Sequence, residues 1–415
     1  MKKHCTFSIL HFQFLTIVSI IVLSFNSNAQ ISLPNSFDSI QYKFTFNLKA
    51  SHDFQSSAIS NEFSSKLIKG GFIDENLINS TFDKHKKINR LGREFTNELK
   101  ITNSCSKIKK WDILYEAGYF SIFSANYSKD LFGLIFKGNQ DYIGDTADFS
   151  GSSFQYVGFQ TLGFGLSHKK SKSSFSLNLV NVDNYFSSFY PKASIIFAAD
   201  SSQMDVDLKG NLDRTYTKKF DKGFGLALNF NVNIEVPWKD DSKAFFQFQV
   251  QNLGFAKVDQ IIENKIDTNI VYSGFNFDNL MSLNTNYLEN NLWQDTLNIS
   301  QDTISKFVML PTMIQFGKVL NANSSSKIQS FFGVKMYPTL RYVPKIYFGI
   351  DYLIAKSIHL GLTSAYGGFG NFRVGFYANY AASKFDFGLG TEDVYGCFSK
   401  QAMGQMFNVR MKFNF

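Results

Sequence analysis

The chain has 415 residues, 44% hydrophobic and 17% aromatic, with 47 Phe and 19 Tyr against 6 Pro, and a formal net charge of +8. That length and aromatic content exclude a disordered chain and a marginal miniprotein core. No Pro-rich, Gly/Ser-rich or single-charge stretch marks a linker, so residues 30–415 are expected to form one unit.

At the N-terminus, Lys2 and Lys3 precede the apolar run FQFLTIVSIIVLSF, and Ser27, Asn28 and Ala29 follow it. Small residues at minus three and minus one, ahead of Gln30, fit a secretory signal peptide cleaved between Ala29 and Gln30. A membrane anchor is the alternative, but the run falls short of the roughly 20 residues a spanning helix needs. No Cys follows the run, so a lipoprotein is not expected. Cleavage would leave Cys105 and Cys397, too few for a disulfide framework, and their pairing stays open.

The first strand candidate is YKFTFNL (42–48), followed by the densest basic stretch, KHKKINRLGR (84–93). Export argues against a nucleic-acid partner, so this stretch is expected to be a solvated loop near anionic head groups. Residues 128–151, SKDLFGLIFKGNQDYIGDTADFSG, break the period-two pattern. Leu131, Leu134 and Ile135 sit at helical spacing, Ser128 offers an N-cap, and Gly138 with Asn139 offers a stop, predicting a short helix over 129–138. Such a helix either hatches the mouth of a barrel or packs as a loop helix on its rim, and the rim is the preferred expectation.

Strict alternation then recurs at SFSLNLVNV (174–182), KGFGLALNFNVNIEV (222–236), FFQFQV (245–250), KIYFGIDYLI (345–354), SIHLGLTSAY (357–366) and NFRVGFYANY (371–380). In the second of these, Phe224, Leu226, Leu228, Phe230, Val232, Ile234 and Val236 share one face. The chain closes on FNVRMKFNF, in which Phe407, Val409, Met411, Phe413 and Phe415 alternate with polar residues. These are expected to be the last strand of a barrel, pairing with YKFTFNL and read by the outer-membrane assembly machinery.

Alternation alone does not say which face is inside. A soluble sandwich buries the apolar face, whereas an outer-membrane barrel turns it to lipid and lines its lumen with the polar one. Strands of ten residues or more suit a tilted bilayer crossing better than a globular sheet. Tyr352, Tyr366 and Tyr380 at strand ends suit interfacial girdles, and the Gly, Ser and Asn of the other face suit a wet or narrowly packed lumen. With the last strand descending, the short connections at 168–172, 237–242, 321–326, 355–356 and 381–383 fall at one end. The long segments near 51–93, 128–155, 256–306 and 391–404 fall at the other. The expected fold is therefore all-β, an antiparallel transmembrane barrel of 12 to 16 strands (best 14 to 16) with long outer loops, in a Gram-negative outer membrane.

The run YSKDLFGLIFKGNQDYIGDTADFSGSSFQYVGFQTLGFGLSHK, with FQVQNLGFAKVD further on, resembles an uncharacterised family of outer-membrane barrels from Bacteroidota. Its features are a "DLF...GN" helix, a "G...DFSG" loop, an "LGFG" strand and an "NLGF" strand. The resemblance implies a barrel and no transferable activity. In architecture the family is distantly similar to barrels that pass hydrophobic molecules and to barrel subunits of the type IX secretion system.

A search for reaction chemistry returns little. His52, His85, His168 and His359 are isolated in sequence, and no HExxH, Cys-x-x-Cys, GxSxG or phosphate loop occurs. Asp200, Asp205 and Asp207 with Gly210 fail the spacing of a calcium loop. No catalytic residue, cofactor or metal is expected. The favoured function is a noncatalytic barrel that passes small or hydrophobic solutes or supports secretion and surface partners. A secreted soluble sandwich or adhesin and a lipid-acting barrel enzyme are the alternatives, the latter because Ser, His and carboxylate need not be close in sequence.

Overall fold

An extended segment with one apolar face satisfies its backbone only by hydrogen-bonding to neighbours on both edges, and in lipid no edge can remain open. The computed structural model describes residues 33–104, 109–200, 202–215, 222–238, 243–272, 299–324 and 326–415. In it, fourteen strands close into an antiparallel barrel. The first five are β1 (Phe44–Ser56), β2 (Ile88–Asn103), β3 (Trp111–Ser128), β4 (Ser152–His168) and β5 (Ser174–Phe197). β6 has two parts, Met204–Thr215 and Gly223–Pro237, both laid between β5 and β7 (Lys243–Tyr272). β8 also has two, Ile299–Met309 and Met313–Asn321, both paired with β7. The circuit continues through β9 (Ile328–Met336), β10 (Val343–Ala355), β11 (Ile358–Gly368), β12 (Arg373–Ala381), β13 (Phe385–Thr391) and β14 (Gly404–Asn414).

β14 closes on β1, with Phe413 opposite Phe46 and Gly404 opposite Gln55. Phe415 completes the seam: its N–H donates to the Phe44 carbonyl at 2.8 Å, and its own carbonyl accepts from Phe44 at 3.1 Å. The two chain segments expected to meet therefore do meet, in register.

The apolar faces point outward. Leu162, Phe164, Leu179, Phe224, Leu226, Ile346, Phe348 and Leu362 are all exposed, Leu162 at 66% and Ile346 at 62%. A soluble sandwich would bury these side chains, so that alternative is overturned; a continuous belt of this kind needs an apolar surrounding. Tyr352 and Tyr380 lie on it toward the end of the short turns and Tyr366 toward the other, and all three are exposed. Among the described residues no helix is long and apolar enough to cross a membrane.

The short connections expected at one end do gather there, the turn end, and the long segments lie at the other, the loop end, which also has short links at 337–342 and 369–372. Three loop expectations are corrected. The 51–93 segment holds two helices, α1 (Asn61–Lys69), capped by Ser60, and α2 (Glu75–Lys84), capped by Asp74. Much of 256–306 is strand, since β7 runs for 30 residues and β8 resumes at Ile299, so that β5 to β8 rise beyond the rim. The basic stretch 84–93 is not a free loop: His85 and Asn89 are buried, and pairing in β2 begins at Ile88.

The segment 128–151 contains α3 (Lys129–Phe136), where the Ser128 hydroxyl accepts from the Leu131 N–H at 3.0 Å. Gly138 follows at φ +84°, a left-handed conformation that a side chain would disfavour. A last helix, α4 (Val394–Phe398), sits between β13 and β14.

Candidate functional site

The alternation that turns apolar residues to lipid turns every other side chain into the lumen. The inward faces of β2, β3, β9, β10 and β14 carry charge, and these charges pair across the interior. On β9, Lys335 Nζ lies 2.7 Å from Oε1 of Glu94 on β2, a strand on the opposite side of the barrel. The Tyr337 hydroxyl donates to the same carboxylate at 2.6 Å. Gln251 on β7 donates to Glu98 on β2 at 2.7 Å. Glu116 on β3 accepts from Lys100 on β2 at 2.9 Å, from Asn229 on β6 at 2.8 Å and from the Ser176 hydroxyl on β5. Toward the loop end, Lys345 Nζ and Arg373 Nη2 hold Glu392 at 2.8 and 3.3 Å. Together these bridges form a polar septum across mid-lumen, and a buried charge tolerates such a place only with this degree of pairing.

Much of the upper interior is apolar and closely packed, the second of the two lumens, wet or narrowly packed, that the sequence pattern leaves open. Phe120, Val157, Phe159, Val180, Val182, Val258, Ile261 and Leu310 form a buried cluster on the inward faces of β3 to β8, with Val157 and Ile261 at 0% exposure. Residues between β9 and β10 also fold inward, placing Tyr337 and Leu340 against Ile122, Met313 and Phe369. Glycine permits part of this packing: a Cβ at Gly92 would lie 2.1 Å from the Phe369 ring, and one at Gly361 2.2 Å from the Tyr377 ring.

The septum itself encloses water-sized space: a cavity of about 150 Å³ runs among Glu94, Glu98, Lys335, Lys345, Glu392 and Arg410. Two more, of about 230 and 210 Å³, follow toward the turn end and share Lys172, Asn231, Gln247 and Lys412. Chain from the N-terminal side enters this space. Phe37 is buried in stacking on Phe245 of β7, with ring centroids 3.8 Å apart. Ser36 and Phe37 pair in parallel with Leu320 and Asn321 at the end of β8, and the Leu320 and Ala322 N–H groups donate to the Asn35 and Phe37 carbonyls. Sequence reasoning missed this segment because its alternation is too short to stand out.

The loop end carries the predicted helix. Leu131 packs in a cluster of Ile59, Phe63, Tyr127 and Phe132 that joins α1, α2 and α3 over the rim, and Leu134 packs beside Tyr142 and Phe197. Ile135 is exposed. The stronger anchors are Phe132 and Phe136, whose centroids lie 5.4 and 4.9 Å from that of Phe63, so the helix caps the rim. Gly138 ends it, and Asn139 precedes a single 3-10 turn, Gln140–Tyr142. His85 binds this cap: Nδ1 meets the Thr81 carbonyl at 2.7 Å, Nε2 meets the Tyr127 hydroxyl at 3.1 Å, and the ring stacks on Phe132. Burial holds its pKa below the usual imidazole value, against the opposing Thr81 hydrogen bond.

Of the remaining sequence candidates, Phe407, Val409, Met411, Phe413 and Phe415 all lie on or next to β14, while Ala29 and Gln30 fall outside the described residues. So does Cys105. Cys397 is half-buried in α4 within 3.4 Å of the Thr391 hydroxyl. Asp205, Asp207 and Gly210 are strand residues of β6, and among the described residues no group of His, Cys, Asp and Glu is arranged to hold a metal. His359 Nδ1 meets Asp351 at 2.7 Å, and the Tyr377 hydroxyl donates to the same carboxylate at 2.6 Å. Two of the three members of a hydrolytic triad thus meet, but among the described residues no hydroxyl is hydrogen-bonded to His359 Nε2.

No known protein family and no curated protein matches the chain. The solved structures that resemble it are outer-membrane β-barrels. A deletion mutant of the TodX monoaromatic hydrocarbon channel aligns over 91% of this chain and 91% of its own, at 8% identity and a TM-score of 0.35. The β domain of the Bordetella autotransporter BrkA aligns over 89% and 99%, at 9% identity and 0.30. The translocator domain of the autotransporter NalP from Neisseria meningitidis aligns over 98% and 95%, at 8% identity and 0.31.

Proposed function

We propose that this chain is a noncatalytic outer-membrane barrel that admits small solutes from its turn end and is held closed at mid-lumen. The observation that carries the reading is the septum: Glu94 bonded to Lys335 and Tyr337 from the opposite wall, with two wet cavities toward the turn end and an apolar belt outside. The charged lining favours polar over hydrophobic solutes on the turn side. Two things test it together. The protein is expected in the outer-membrane fraction, with heat-modifiable migration on a detergent gel; recovery in the osmotic-shock fluid would overturn the location. In liposomes, wild-type protein is expected to give slow swelling with small sugars, and rapid size-graded swelling would show an open pore instead.

The same reading assigns export to cleavage between Ala29 and Gln30, checked by the N-terminal mass of the mature protein. It assigns the β14 residues Phe407, Val409, Met411, Phe413 and Phe415 to recognition by the assembly machinery. A scaffold for secretion or surface partners is the second reading, favoured by the rise of β5 to β8 beyond the rim. It calls for surface protein that co-purifies with wild type and is lost when that rise is shortened. The uncharacterised Bacteroidota family remains the kinship proposed on residues 128–168.

A further inference from the structure

The turn-end cavities carry an excess of cations, and a segment of the chain lies against them. Lining them are five cations, Lys49, Lys100, Lys172, Arg410 and Lys412, against three carboxylates, Asp38, Asp112 and Asp386. Lys100 pairs outside this set with Glu116, Arg410 with Asp386 at 3.2 Å and Lys412 with Asp38 at 3.0 Å. Among the described residues, Lys49 and Lys172 have no carboxylate within ion-pair distance.

Three oxygens of the inserted segment complete the shell. Lys49 Nζ donates to Asn35 Oδ1 at 3.1 Å, Arg410 Nη1 to the Pro34 carbonyl at 3.0 Å, and Lys412 Nζ to Asp38 Oδ2. One carboxylate and two neutral acceptors thus sit where a small anion's oxygens would be held by ammonium and guanidinium donors. The segment is further anchored by Asn35 Nδ2, which donates to Gln247 at 2.6 Å, by Leu33 packed against Leu320, Phe331 and Tyr377, by the Phe37 stack and by the short parallel pairing on β8.

We propose that this vestibule binds a small carboxylate- or phosphate-bearing solute from the turn end, and that the solute competes with Pro34, Asn35 and Asp38 for Lys49, Arg410 and Lys412. The site rests on the reading of the lumen as a solute path only for the direction of approach; binding itself needs no transit.

Competition gives variants of opposite sign. Calorimetric titration of the full chain in detergent micelles is done with inorganic phosphate, with succinate and with choline as the cationic control. Phosphate or succinate is expected to bind and choline not to, and whichever anion binds tighter names the source. Lys49→Met should weaken binding about tenfold, the loss of one charge-assisted contact. Asp38→Asn and Asn35→Ala should tighten it several-fold, because each removes an internal competitor. Heat-modifiable migration establishes that each variant is folded; should Lys49→Met fail to fold, Lys172→Met, in a turn, replaces it with the same expectation. Absence of binding by both anions, or weakening by Asp38→Asn, would overturn the proposal. Binding without any solute flux would leave it standing and count against the transit reading alone.

Discussion

At the scale of single residues, the interior is held by side chains whose partners come from far around the barrel. Gly361 is one such point, because the Tyr377 ring lies where its Cβ would be. Gly361→Ala is expected to cost about 1–3 kcal/mol, the range for forced overpacking, read as a lower denaturant midpoint for loss of heat-modifiable migration. Strand glycines are legible in the sequence as packing or bulge sites; which ring each receives is not, because that depends on the register of a neighbouring strand. The charges of the septum are equally plain as residues and invisible as pairs. Glu94 and Lys335 are separated by most of the chain and meet only through closure.

Individual elements follow local chemistry closely. Ser128 caps α3 as its hydroxyl and the helical spacing after it predict, and Ser128→Ala should cost the cap about 1 kcal/mol. Phe132→Ala should cost more, about 3–5 kcal/mol, since Phe132 is buried between Phe63 and His85. Both losses belong to the cap alone, and hydrogen exchange in α1 to α3 is expected to speed up while exchange in the barrel strands stays slow. The cap also has a pH dependence. His85 is held below its unfolded pKa by burial and by a Lys129 charge nearby, so the unfolded cap binds the proton more readily than the folded one. Stability from this group is complete above about pH 6.5 and falls as pH drops below it. Protection of α2 and α3 against exchange, measured relative to the intrinsic rate at each pH, should therefore fall as pH drops below about 6.5, and His85→Gln should remove that step. The helices α1 and α2 were not legible, because their apolar residues, Phe63, Leu77, Ile78 and Phe82, are spread too thinly for a clear period.

The whole molecule was the most readable scale. Long alternation, short turns opposite long loops and the in-phase ending FNVRMKFNF suffice for a closed antiparallel barrel, and β14 does pair with β1 over its full length. Phe415→Asp places a charge beside that seam and is expected to lower outer-membrane insertion more than the same change at exposed Phe72; equal insertion would count against an assembly role for the strand. What alternation could not reveal is that part of the lumen is an apolar core, because inward Val157, Phe159 and Val182 read as breaks in a polar face. Nor could it reveal the septum that closes the rest.

Single-channel conductance of the purified full chain in a planar lipid bilayer tests that closure most directly. The comparison is with the double variant Glu94→Gln, Lys335→Met, in which both charges leave together so that neither is stranded in the interior. Wild type is expected to stay closed or open rarely, and the double variant to conduct at least tenfold more of the time. A wild-type channel that is steadily open, or a double variant indistinguishable from it, would contradict a barrel closed by its own septum.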